Sequence, residues 1–125
     1  MTADPIPSDV RDFIFRYIDS VAQLEALLLL RSHPTETWDA AKIAERLYSG
    51  ERETKESLSQ LCQNGLLTMA DGIYRYEFAS PERANMVDRL IVIYTRHLIP
   101  VTNIIHGKPR RIRQFADAFK FRKEP

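Results

Sequence analysis

The side chains able to make directional polar contacts gather in one short stretch, Glu51 to Asn64. Stepping about 100° per residue from Leu58, the outward side of a helix there carries Arg52, Glu53, Glu56, Ser57, Ser59, Gln60 and Gln63. Thr54 and Lys55 fall nearer the inner edge. Such a face can donate and accept hydrogen bonds at several points on a partner, but it breaks no bonds. The rest of the chain adds no catalytic set. His33, His97 and His106 are far apart, and none has a second ligand at metal-binding spacing. The four glycines build no phosphate-binding loop, and no serine stands in a nucleophile motif. Cys62 is the only cysteine, which excludes an intrachain disulfide and a cysteine-rich zinc site. Its place after Leu61 suits a small buried hydrophobe. No enzymatic activity and no cofactor are expected.

The elements that position this face follow from periodicity and punctuation. At 125 residues with 44% apolar content, the chain is long enough for one domain with a real core. Pro5 and Pro7 keep the start extended, and Ser8 can cap a first helix. Val10, Phe13, Ile14, Tyr17, Ile18 and Val21 form its stripe. Ser20 and Gln23 have capping-box spacing, so either a new helix starts there or the first one bends. The leucine run Leu27 to Leu30 calls for burial on most sides, and His33-Pro34 ends the helix. Thr35 to Trp38 is a candidate short strand. Asp39 caps a helix ending near Tyr48, Ser49-Gly50 supplies a turn, and a second helix covers about Glu51 to Asn64. Strands at about Leu66–Met69 and Ile73–Phe78 meet through Asp71-Gly72, a two-residue hairpin signal. The fold class is therefore mainly α with a small β-hairpin.

Ile43, Ala44, Leu47, Leu58, Leu61, Gly65 and Leu66 fall in the order and spacing of Ile-Ala-x-x-Leu, Leu-x-x-Leu and Gly-Leu. With the Asp-Gly hairpin, this resembles the winged helix-turn-helix domain of bacterial transcription regulators over about Thr35 to Phe78, a third of the chain. The resemblance implies a winged helix-turn-helix with additional N- and C-terminal helices. It further implies a function as a DNA-binding transcriptional regulator, with the second helix in the major groove of double-stranded DNA and the hairpin along the backbone. The residues it marks as DNA-contacting are Arg52, Lys55, Ser57, Ser59 and Gln60 on the reading helix and Arg75 on the wing. Arg52 and Gln60 suit guanine and adenine edges, and a glutamate can accept a hydrogen bond from cytosine. Two departures stand out. Ser49 replaces the usual apolar turn residue, so Tyr48 is expected to cover that part of the core. The reading helix also carries glutamates, which disfavour a phosphate lattice. The alternative is a protein-interaction module that keeps the winged fold without DNA binding.

Residues 1–80 form the winged unit with its N-terminal helices. Residues 81–125 form a long helix and a short basic one, expected to serve dimerisation. Ser80-Pro81-Glu82 opens the long helix. Val87, Leu90, Ile91, Tyr94, Leu98, Val101 and Ile105 form a near-heptad stripe that also includes His97, and Met86, Val92, Ile93 and Ile99 widen it. Apolar residues on extra faces need another surface, and family members often dimerise through flanking helices, so a homodimer is expected. Pro100 should kink the helix, and Gly107 and Pro109 should end it. A last helix, about Pro109 to Lys120, places Ile112, Phe115, Ala116 and Phe119 on one side among basic residues.

Net charge is +1, but it is divided along the chain. Residues 1–80 hold 8 Lys/Arg against 13 Asp/Glu, hence −5, and residues 81–125 hold 10 against 4, hence +6. The basic end could grip phosphates, an acidic protein surface or an anionic membrane surface. The start lacks a secretory pattern, and the apolar stretch Leu90 to Ile105 is too short and too polar to span a bilayer, so a cytoplasmic location is expected.

Overall fold

A computed structural model describes residues 5–77 and 80–107. The protein is mainly helical with one small antiparallel hairpin. Helix α1 spans Ser8–Tyr17 and α2 spans Val21–Ser32; α3 covers Ala40–Leu47 and α4 covers Glu51–Gln63. The hairpin pairs β1, Leu67–Ala70, with β2, Ile73–Tyr76; α5 spans Pro81–Arg96, and α6 occupies residues 98–107. The expected last helix, Pro109 to Lys120, lies outside the described residues.

Local chemistry explains most boundaries. Ser20 caps α2 by accepting from the Gln23 N–H at 3.1 Å, so two helices form rather than one bent helix. The Gln23 side-chain oxygen accepts from the Asp19 N–H at 2.9 Å, one residue earlier than a standard capping box. Asp39 caps α3 at Lys42 N–H, and Ser80 caps α5 at Arg83 N–H. Asp71 and Gly72 both have positive φ, as a type I′ turn requires. Ser8 does not act as the expected cap. It is the first residue of α1, Pro7 stands at the N-cap, and no side chain caps that end.

Two further expectations are revised. The strand at Thr35 to Trp38 reduces to a single bridge, with Tyr74 N–H donating to the Trp38 carbonyl at 2.8 Å. The long helix is broken rather than kinked. Pro100 cannot bond back to the Arg96 carbonyl and crowds it, so the chain leaves helical geometry at His97. It restarts as α6, with Pro100 in a first turn that needs no N–H donor.

One core cluster runs from Ile6 to Ile105, across the expected boundary at residue 80. It takes Ile14 and Ile18, Leu24, Leu27 and Leu30, Ile43, Leu58 and Leu61, and Leu90. Polar cross-links fix α5 against it. Arg89 forms a bidentate pair with Asp9, Arg31 bonds Asp88 at 2.8 Å, and the Tyr94 hydroxyl donates to Glu25 at 2.6 Å. Arg83 donates to the Asn64 carbonyl at 2.5 Å and to the Tyr17 hydroxyl at 2.9 Å, with its guanidinium 4.5 Å from the Tyr17 ring centre.

Arg83→Ala is expected to lower the unfolding free energy by about 2–3 kcal/mol, since two hydrogen bonds and a cation–π contact are lost together. Urea denaturation measures this, and Arg83→Lys should recover only part, because an ammonium lacks the planar fork. A second expectation concerns alkali. Burial, and then the bond to Glu25, push the Tyr94 phenol well above its usual range. The unfolded chain releases that proton near pH 10, so this stabilisation is intact below about pH 10 and is lost as the pH rises further. Thermal melts should fall less steeply above about pH 10 in Tyr94→Phe than in the parent protein.

Candidate nucleic-acid interface

Helix α3 buries Ala40, Ile43 and Ala44, and α4 buries Thr54, Leu58 and Leu61. These are the sides on which the two helices pack against each other. Between them the chain turns through Tyr48 at φ 54°, with Ser49 N–H bonding back to the Ala44 carbonyl at 3.0 Å. The same closure recurs after α4, where Gly65 has φ 76° and Leu66 N–H reaches the Leu61 carbonyl at 2.9 Å. The expectation that Tyr48 covers the core at the turn is overturned, because its side chain is 97% exposed. The left-handed backbone aims it outward. A polar pair fills the place: Ser49 Oγ lies 2.8 Å from Oγ1 of Thr54, which is buried.

The outward side of α4 carries the expected residues. Arg52, Lys55, Ser59 and Gln60 are exposed, and Ser57 is half-buried. Both cations have carboxylates one turn away, Arg52 with Glu56 at 3.9 Å and Lys55 with Glu51 at 3.5 Å. The Glu53 carboxylate folds back over Gly50 at the start of the helix, the place a Cβ there would take. Glu51 and Glu53 in the first turn suit the helix dipole, and they set negative charge at the end most favourable to a phosphate. Glu53, Glu56, Ser57 and Gln60 then line a shallow groove against Asp19, Ser20, Ala22 and the nearly buried Gln23. Among the described residues no cation lines that groove.

Arg75 stands apart from this face. It is exposed on β2 opposite Thr68, with no ion pair among the described residues. It borders a small depression with Leu30, His33, Trp38, Tyr74 and Tyr76 that shares no residue with the α4 groove. Next to the hairpin lies a feature that sequence reading missed. Trp38 is 1% exposed and donates from its indole to the His33 carbonyl at 3.2 Å. Lys42 and Arg46 lie over its ring at 4.6 and 5.2 Å from the centre. Both pair with Glu36, and the Lys42 hydrogen bond and the Arg46 charge hold that carboxyl below its usual range. The i, i+4 spacing of Lys42 and Arg46 was visible, but their shared ring was not.

The expected dimer stripe divides in two. Val87, Leu90, Tyr94, Val101 and Ile105 are buried inside the chain itself, and Ile91 is half-buried. Only Leu98 of the seven is exposed, at 52%. The seam is therefore mostly internal, because the break at His97 lets both helices turn their stripes to the core. His97 is half-buried at that break. Cys62 is half-buried against the core, and burial pushes its thiol up. Among the described residues no cluster of His, Cys, Asp or Glu could hold a metal, and no helix is long and apolar enough to cross a membrane.

No family model matches the chain, and no similar curated protein or solved structure was found.

Tyr48→Gly is expected to raise stability by about 1 kcal/mol, since it relieves a left-handed non-glycine residue without removing packed surface. Chemical denaturation measures it, and a loss of stability would show that the phenol makes a contact that matters.

Proposed function

We propose that the protein is a winged helix-turn-helix DNA-binding transcriptional regulator. The observation that carries this reading is the continuous sequence of α3, left-handed turn, α4 and hairpin, closed by the bridge from Tyr74 to Trp38. In this order α4 presents one exposed polar face, and β2 presents Arg75 as an exposed cation with no ion pair among the described residues. Helix α4 enters the major groove, with Arg52 and Gln60 reading base edges, Ser57 and Ser59 adding shorter hydrogen bonds, and Lys55 and Arg75 meeting phosphates. The ion pairs of Arg52 and Lys55 are exposed and contribute little, so a phosphate or a guanine can replace the carboxylate.

A second reading has its own support. The acidic groove beside α4, with Asp19, Glu53 and Glu56, suits a basic protein partner better than a polyanion. The two readings separate by fluorescence anisotropy on mixed duplex DNA at increasing salt. The DNA reading expects tight binding at low salt with a steep salt slope. Arg52→Ala should weaken it about tenfold, and Arg75→Ala should reduce the slope by about 1. Absence of binding at low salt would leave the protein-interaction reading in its place.

A further inference from the structure

We propose that Lys42 and Arg46, held over the Trp38 ring, form a phosphate seat beside the hairpin, and that the Glu36 carboxylate fills it as an internal competitor. The occupant that displaces Glu36 is a backbone phosphate of duplex DNA, which rests on the DNA reading above.

Two cations over one indole are already ordered for an anion. Lys42 Nζ and the Arg46 guanidinium lie 4.6 and 5.2 Å from the ring centre, within cation–π range. Lys42 also donates to the Thr37 carbonyl at 3.1 Å. Neither needs Glu36 to hold its place. The connector that carries Glu36 does not need the carboxylate either. Its turn is closed by the Glu36 N–H on the His33 carbonyl at 3.3 Å, and by the Trp38 indole on the same oxygen at 3.2 Å. What the carboxylate does there is neutralise charge.

It does so loosely. Lys42 Nζ stands 3.1 Å and Arg46 Nη1 3.8 Å from the same oxygen, Oε1. The second distance is beyond a hydrogen bond, so the Arg46 fork of N–H donors is not used on that oxygen. A phosphate group offers more oxygens, spread tetrahedrally, and can take an ammonium and a guanidinium together at hydrogen-bond distance. The side chains of Glu36, Lys42 and Arg46 are 36%, 40% and 43% exposed, so a phosphate reaches them, and ion pairs of that exposure contribute little.

The position suits a duplex backbone. Glu36 and Trp38 border the same depression as Arg75, the wing cation already given a phosphate. Lys42, Arg46 and Arg75 are three of the eight Lys/Arg in residues 1–80, gathered about the Trp38–Tyr74 bridge. Among the described residues Glu36 and Glu77 are the acids of that depression, and Glu77 is engaged by the Thr68 hydroxyl at 3.2 Å. Removing the Glu36 charge should count as one more neutralised phosphate. That makes the salt slope steeper by about 1 and the affinity about tenfold higher in about 0.1 M salt.

The test compares the full-length parent with Glu36→Gln, Glu45→Gln and a triple variant, Glu36→Gln with Lys42→Gln and Arg46→Gln. Duplex anisotropy at increasing salt is the first readout. Glu45 is an exposed acid of α3 with no ion pair among the described residues, and it controls for overall charge. Trp38 is the only tryptophan, so its indole N–H gives one NMR resonance that reads the seat directly. Glu36→Gln should bind about tenfold tighter, Glu45→Gln should gain no more than about threefold, and the triple variant should lose the gain. Duplex should shift the indole resonance of the parent and of Glu36→Gln, and not that of the triple variant. Parent binding that Glu36→Gln leaves unchanged, or an equal gain in Glu45→Gln, would overturn the seat and leave the DNA reading standing. An indole resonance unmoved by bound duplex would overturn it too. If neither parent nor variants bind duplex at low salt, the DNA reading falls and the duplex is lost as the occupant. Inorganic phosphate titrated into Glu36→Gln then decides the seat itself. An indole shift absent from the triple variant would keep it for a free phosphate, and no shift would overturn it.

Discussion

The guanidinium of Arg83 joins three segments that the apolar core alone would leave free to rotate. It meets the carbonyl of Asn64 where α4 ends, the hydroxyl of Tyr17 where α1 ends, and the ring of the same tyrosine. Asn64 in turn donates from its side chain to the Tyr17 carbonyl at 3.0 Å. Apolar burial is non-directional, so it holds α1, α4 and α5 together without setting their mutual angle. Planar hydrogen bonds set it. Gly65 belongs to the same constraint: a Cβ there would stand 2.8 Å from the Arg83 side chain, and its positive φ is the conformation that sends the chain from α4 into the hairpin. The angle of α4 and the departure of the hairpin are thus decided at one place, remote from the face that α4 exposes.

What was legible in the sequence was what is decided within a turn of helix or a hairpin. Ser20, Asp39 and Ser80 cap through N–H groups three residues on, and Asp71-Gly72 needs only its own two dihedral angles. Such interactions are the same in any tertiary context. Leu58, Leu61, Ile43 and Ala44 were legible for a related reason, since helical spacing fixes which side they share. The misreadings all involve a partner distant in the chain or a choice between near-equal local states. Ser8 is the first residue of α1 rather than its cap, and no side chain caps that end. Tyr48 is expected in the core because Ser49 stands where the resemblance calls for an apolar turn residue, but the turn needs a left-handed residue, and Ser49 pairs with the buried Thr54 instead. The seven stripe residues could pack on a second copy or on their own chain, and the pattern is identical in both cases. Arg83 was invisible as a tether because its partners lie 19 and 66 residues away.

The candidate site was legible as a face but not as an electrostatic environment. Spacing placed Arg52, Ser59 and Gln60 outward, and they are outward. It could not show that Glu53 covers the start of α4, nor that Asp19 closes a groove beside Glu56 and Gln60. The same acids that stabilise the first turn of α4 through its dipole oppose a polyanion approaching that end. Helix stability and phosphate affinity therefore make opposite demands on Glu51 and Glu53.

That opposition separates two tasks that a basic reading helix would combine. If α4 meets a duplex, its hydrogen-bonding groups can discriminate among bases, while the counterion release that gives most of the affinity has to come from cations elsewhere. Among the described residues these are few near the hairpin: Arg75 is unpaired, and Lys42 and Arg46 are engaged by Trp38 and Glu36. The −5 of residues 1–80 and the +6 of the remainder then read as a division of labour along one chain. Under the proposed DNA reading, a helix of this charge gains little from non-specific attraction, which keeps base preference from being swamped by it.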